Sequence, residues 1–111
     1  MGLSAQEIKR ALDPLRSFSL QLKQDIAAYE RARRGSFDGI VNLHGLGRLL
    51  IAARIHRGVN QRELAKLLGV HESQVSRDER NEYRSITVDR ASRILDLLEF
   101  ELHSELHPKK L

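Results

Sequence analysis

The stretch from Gln61 to Glu79 restricts what this chain can fold into more than any other part of it. Asn60 with Glu63 forms the cap-and-return pair that opens a helix, and Leu64, Ala65 and Leu68 give that helix an apolar stripe. Gly69 follows, suited to a left-handed turn that most side chains resist. A second helix then runs from about Glu72 to Arg80, anchored inward by Val75. Ala65 is small where two helices must cross closely, and Val75 fills the crossing from the other side. Together these fixed points force a tight corner between two short helices. The corner pushes the second helix away from the body, so that Glu72, Ser73, Ser76 and Arg77 face outward while Val75 points back.

The flanks extend the helical pattern. Upstream, Leu46, Leu49, Leu50 and Ala53 repeat at helical spacing from about Asn42, with Gly58 as a stop. Downstream, Asn81 and the loop Glu82 to Ser85 lead to Thr87, which caps a further helix carrying Ala91, Ile94, Leu95 and Leu98. Further back, residues 4 to 34 read as helix, opened by the capping box Ser4 and Glu7. Asp13-Pro14 interrupts it, because proline lacks the N–H that an interior turn needs, and a kink or a break is expected there. Ile8, Leu12, Leu15, Leu22, Ile26 and Tyr29 form a heptad seam with one gap at Ser19. That seam serves either packing within the domain or a partner helix. Arg31, Arg33 and Arg34 crowd the last turn, where cations favour the helix dipole. Gly35 to Gly39 then reads as a linker.

From Glu99 to His107 the polarity alternates at every residue, the period of a half-buried strand. A lone strand leaves its backbone groups unpaired, so this segment is expected to pair with its copy across a two-fold axis, with Pro108 ending it. The organisation is thus an arm over residues 1–35, a domain over 36–98 and a tail over 99–111.

The corner resembles the Xre and Cro/phage-repressor family of helix-turn-helix proteins. The matching fixed points are Gln61, Leu64, Ala65, Gly69, Val75, Ser76 and Glu79, and the likeness spans roughly residues 43 to 98. It implies an all-α, lambda-repressor-like domain of four to five helices, with an amphipathic helical arm before it and a short C-terminal strand after it. It also implies a double-stranded DNA partner, Gln61 against a phosphate, and Glu72, Ser73 and Arg77 at base edges in the major groove. Arg80, Asn81, Tyr83 and Arg84 take the backbone contacts by the same likeness. Two positions depart from the family pattern: His71, counted with the DNA-facing set, stands where Ser or Thr usually caps the reading helix, and Asp78 stands where an apolar residue usually packs inward.

The chemistry of these side chains agrees. Arg77 can donate two parallel hydrogen bonds to O6 and N7 of guanine, and Glu72 can accept from cytosine N4 while repelling phosphate. Ser73 and Ser76 are short and ambiguous readers. The alternative for Arg77 is an ion pair with Asp78 or Glu79. One reading helix covers too few base pairs to be selective, so a two-fold homodimer on a palindrome is expected, its half-sites roughly 34 Å apart.

Composition narrows the class further. The net charge is +4, and the excess lies upstream: residues 1–53 carry eight positive and five negative charges, 54–93 nine and six, 94–111 two and four. Cysteine is absent, which removes disulfides, thiolate nucleophiles and Cys-type zinc sites. No apolar run suggests a membrane span and no basic-then-apolar leader opens the chain, so a cytoplasmic protein is expected. No cofactor is expected. His103 and His107 have the i, i+4 spacing of zinc ligands on a helix, but on a strand they stand about 13 Å apart. Gly45-Leu46-Gly47 lacks the rest of a phosphate loop and reads as helix–loop flexibility. Nothing pairs a nucleophile with a base, so no enzyme is expected. Three functions remain: a transcriptional repressor, an antitoxin whose arm covers a toxin protein while its domain represses the operon, and a protein-binding adaptor on the same fold.

Overall fold

The computed structural model describes residues 2 and 4–110, the side chains of residues 11–18 excepted. These form five α-helices: α1 Ala5–Arg34, α2 Leu46–His56, α3 Gln61–Leu68, α4 Glu72–Arg80 and α5 Val88–Leu97. No strand occurs among the described residues. Helices α2 to α5 share one core, in which α3 packs on α4 and α2 touches both α4 and α5, while α1 rests on α2. Leu50, Leu64, Val75, Ile94 and Leu98 fill the centre and are essentially inaccessible to solvent. Ala53, Ala65 and Ala91 are buried where backbones approach, and Tyr83 joins them from the loop after α4.

The caps act as the sequence requires. Asn60 accepts the Glu63 amide at 2.8 Å and Thr87 accepts that of Arg90 at 3.1 Å. Gly69 ends α3 in the left-handed region at φ +71°; there the amide of Val70 reaches the Ala65 carbonyl and that of Gly69 the Lys66 carbonyl. This pair of bonds closes the helix and aims the chain into α4.

Four expectations change. Helix α1 carries through Asp13-Pro14 without a break; proline removes one intrahelical bond, and a capped helix of 30 residues has intact turns on both sides to hold the register. Helix α2 begins at Leu46 and not near Asn42, because Asn42 and Gly45 both adopt left-handed conformations that no right-handed helix admits. The tail from Glu101 to Lys110 is neither strand nor helix and is exposed throughout; alternation marks a face, but a strand needs a neighbour to bond with. Finally, Gly47 is a packing residue and not a flexible one: a Cβ there would lie 1.8 Å from the Glu82 carbonyl oxygen.

The arm is anchored only at its base. Ser4 accepts the Glu7 amide, and every described side chain from Ala5 to Arg34 is exposed except Ala32. Ile8, Leu22, Ile26 and Tyr29 therefore present a stripe to solvent, each about half exposed; Leu12 and Leu15 of the same seam lie outside the described side chains. At the base, His56 donates from Nδ1 to the Arg33 carbonyl at 3.2 Å. Phe37 meets both His56 and Phe100 edge-on with ring centroids 5.7 Å apart. Arg57 donates to the carbonyls of Leu98 and Glu99 and stands 4.3 Å from the Phe100 ring centre. Linker, α2 and the start of the tail thus converge on one aromatic cluster.

Candidate nucleic-acid interface

Helix α4 is polar except for Val75, and it buries two side chains, Val75 and the carboxylate Glu79. A buried carboxylate needs a partner, because desolvation of a lone charge costs several kcal/mol. Arg54 of α2 supplies it. Its guanidinium grips both Glu79 oxygens, with Nη2 to Oε1 at 2.8 Å, and its remaining nitrogen Nη1 donates to the Val59 carbonyl at 2.9 Å. Gln61, opening α3, donates to the same Glu79 oxygen at 3.1 Å. One ion pair therefore ties α2, α3 and α4 together, and the fork of two parallel bonds fixes orientation as well as distance.

With Val75 and Glu79 holding one side, the opposite side of α4 faces out. Glu72, Ser73, Arg77 and Arg80 are exposed, as are His71 before the helix and Asn81 and Arg84 after it. Ser76 is half-buried beside them. Among the described residues no ion pair occupies Arg77: Glu79 is taken by Arg54, and Asp78 accepts from Gln74 at 2.9 Å within the helix. That bond also explains how Asp78 serves where an apolar residue is usual, since the carboxylate is half-buried and satisfied within its own helix.

His71 performs the cap that its position asks for. Its Nδ1 accepts the Ser73 amide at 3.1 Å, one of the donors that every helix start leaves over. The Ser73 hydroxyl lies 2.8 Å from the same nitrogen.

Two members of the sequence-derived set stand differently. Tyr83, expected at the DNA backbone, is 5 % exposed and belongs to the core. Glu82, Tyr83 and Ser85 all have positive φ, and this tight reversal swings the Tyr83 ring inward while Arg84 stays outside. Burial, with the nearby carboxylates of Glu79 and Asp78, pushes the Tyr83 hydroxyl well above the ordinary tyrosine range. Gln61 is half-buried and its amide nitrogen is engaged by Glu79.

Sequence reasoning did not reach three contributors. Arg54 carries no local signal, because its partner lies 25 positions away. Arg90 and Thr87, at the start of α5, line a groove with Arg77 and Arg84; three arginines around one depression add positive charge beside α4. The signal available was only the cap at Thr87.

Among the described residues no group of three or more His, Asp or Glu side chains is placed to hold a metal ion, and no helix is long and apolar enough to cross a membrane. His103 and His107 sit beside Glu101 and Glu105 on the exposed tail. A helix-turn-helix family model matches residues 50–103. No curated protein and no solved structure gives a significant match. The capped corner, the outward α4 and the match agree: residues 50–103 carry a helix-turn-helix domain similar to those of the Xre/Cro-like family, which supports a DNA-binding regulator.

Proposed function

We propose that the chain is a sequence-specific transcriptional repressor of the cytoplasm, binding a palindromic operator as a two-fold dimer. The observation that carries this reading is Arg77: exposed on α4 and unpaired among the described residues, it has the fork geometry that reads guanine in the major groove. Ser73 and Glu72 share its face toward the bases, with Ser76 at the margin. His71, Arg80, Asn81 and Arg84 flank that face and are assigned to phosphates, which fix register and carry no sequence information. A dimer supplies the second half-site, one helical turn away. The Gln61 side chain, expected against a phosphate, holds Glu79 instead, and a phosphate at the start of α3 would be met by backbone amides.

Sequencing the duplex fragments that the purified chain retains at physiological salt tests the reading, with Arg77→Ala in parallel. The variant is expected to lose about 1–3 kcal/mol on the preferred site and to relax one base position. Equal weakening on every sequence would assign Arg77 to phosphate. Flat dependence of binding on salt, in place of a slope near −0.9 per phosphate contacted, would favour a protein-binding adaptor.

A second reading is supported by the half-exposed stripe of Ile8, Leu22, Ile26 and Tyr29 on α1. In it the chain is an antitoxin, repressing through α4 and covering a toxin protein with the arm. A heterodimer on copurification supports that role; a homodimer through the arm supports the first.

A further inference from the structure

On the sequence alone the Ser73 hydroxyl is an ambiguous reader, able to donate or accept. The geometry at the start of α4 removes the ambiguity. The Ser73 amide can only donate, so the Nδ1 of His71 that it meets at 3.1 Å is an acceptor, and the neutral ring carries its proton on Nε2. The Ser73 hydroxyl oxygen lies 2.8 Å from that same accepting nitrogen. Two acceptors do not rest at that distance, so the hydroxyl must donate to it. Its single proton is thereby turned back toward His71. What the exposed side of Ser73 offers a ligand is lone pairs alone.

We infer that Ser73, held by His71, is a one-way base reader that accepts from the exocyclic amino group of adenine or cytosine and rejects the keto edges of guanine and thymine. This rests on the DNA-binding reading above. In the major groove adenine N6 and cytosine N4 are donors, whereas guanine O6 and thymine O4 are acceptors. An acceptor-only hydroxyl gains a hydrogen bond from the first pair and faces lone pairs in the second. Inverting the base pair moves the amino group to the other strand, so the rule distinguishes A·T from T·A and C·G from G·C. It does not distinguish adenine from cytosine. His71 acts here as a positioning residue, since it sets the direction of the Ser73 proton whether or not its own ring touches DNA. Beside Arg77, which only donates, the face then carries one residue for amino bases and one for guanine.

The test is selection of bound duplexes from a random pool by the full chain at fixed salt, repeated with Ser73→Ala and His71→Gly. Glycine is a tolerated N-cap, and it leaves the serine hydroxyl without its acceptor. Ser73→Ala locates the position that Ser73 reads. There the parent is expected to favour adenine or cytosine over guanine and thymine by roughly three- to tenfold, the worth of one neutral hydrogen bond. Both variants should level that preference, whatever either does to overall affinity, while the guanine position assigned to Arg77 stays selective. A parent preference for guanine or thymine at that position overturns the inference. So does a preference that His71→Gly leaves intact, or the absence of any position that responds to Ser73→Ala. In each of these cases continued selectivity at the Arg77 position would keep the DNA-binding reading. Failure of the parent to select any duplex overturns both. Should His71→Gly not fold, the parent against Ser73→Ala decides alone.

Discussion

Arg54 grips both carboxylate oxygens of Glu79 across the contact between α2 and α4, and both side chains are withdrawn from solvent. Surface ion pairs contribute little, but a buried carboxylate stripped of its partner keeps its desolvation penalty with nothing to offset it. Removing Arg54 therefore harms the fold more than the lost attraction suggests. Arg54→Ala is expected to destabilise the domain by about 3–5 kcal/mol in chemical denaturation. Arg54→Ala with Glu79→Leu should recover much of that, because no orphaned charge remains. Strictly additive losses in the double variant would show that the pair is not coupled.

Gly47 tests a steric claim. The Glu82 carbonyl oxygen lies 1.8 Å from where its Cβ would stand, and that oxygen is backbone, so no side-chain rotation relieves the clash. Alanine is the better helix former by about 1 kcal/mol, yet Gly47→Ala should destabilise by about 1–3 kcal/mol as the 81–85 loop is forced away. Because Asn81 and Arg84 ride on that loop, duplex affinity should fall with it. A variant more stable than the parent would place the loop farther from α2 than described.

Much of α3, α4 and α5 was legible because their signals are local. Asn60, Gly69 and Thr87 act within four residues of their own position, and the stripes of Leu64–Leu68 and Ala91–Leu98 follow from helical period alone. Long-range partners leave no such mark. Glu79 stood out as a fixed point of the pattern, but nothing in its neighbourhood names Arg54. Likeness to the family places Tyr83 at the DNA backbone, and only the run of positive φ around it shows why the ring turns inward. In the tail, alternation over Phe100, Leu102 and Leu106 describes two faces, and among the described residues of the single chain no neighbouring strand is present to use either; the partner expected for it is the same segment of a second subunit.

Glu99 occupies the position where helices most often end in glycine. Its φ is +60°, its amide reaches the Asp96 carbonyl, and the next amide, of Phe100, reaches the Leu95 carbonyl. That closing pattern demands a left-handed residue, which costs a side chain roughly 1 kcal/mol. Glu99→Gly should accordingly stabilise the domain by about 0.5–1 kcal/mol, read as a higher denaturation midpoint with unchanged slope. Arg57 bonds the Glu99 carbonyl, which the substitution retains. A loss of stability would mean that the Glu99 side chain itself holds the tail.

Tyr83 links the core to pH. Burial first, then the charges of Glu79 and Asp78, raises its hydroxyl above the reference value of 10.0. From about pH 10 upward the unfolded chain has lost this proton while the folded chain still holds it, so the folded state binds more protons and stability must fall as pH rises. Below that point the tyrosine contributes no slope. Above it the slope approaches about 1.4 kcal/mol per pH unit from this one group. The comparison that isolates the effect of this one hydroxyl is parent against Tyr83→Phe. Their stability difference should be constant between about pH 7 and 9 and should shift in favour of the variant above about pH 10. Curves that stay parallel to about pH 11 would show that the folded domain accepts the phenolate, and with it that the ring is less enclosed than the loop geometry places it.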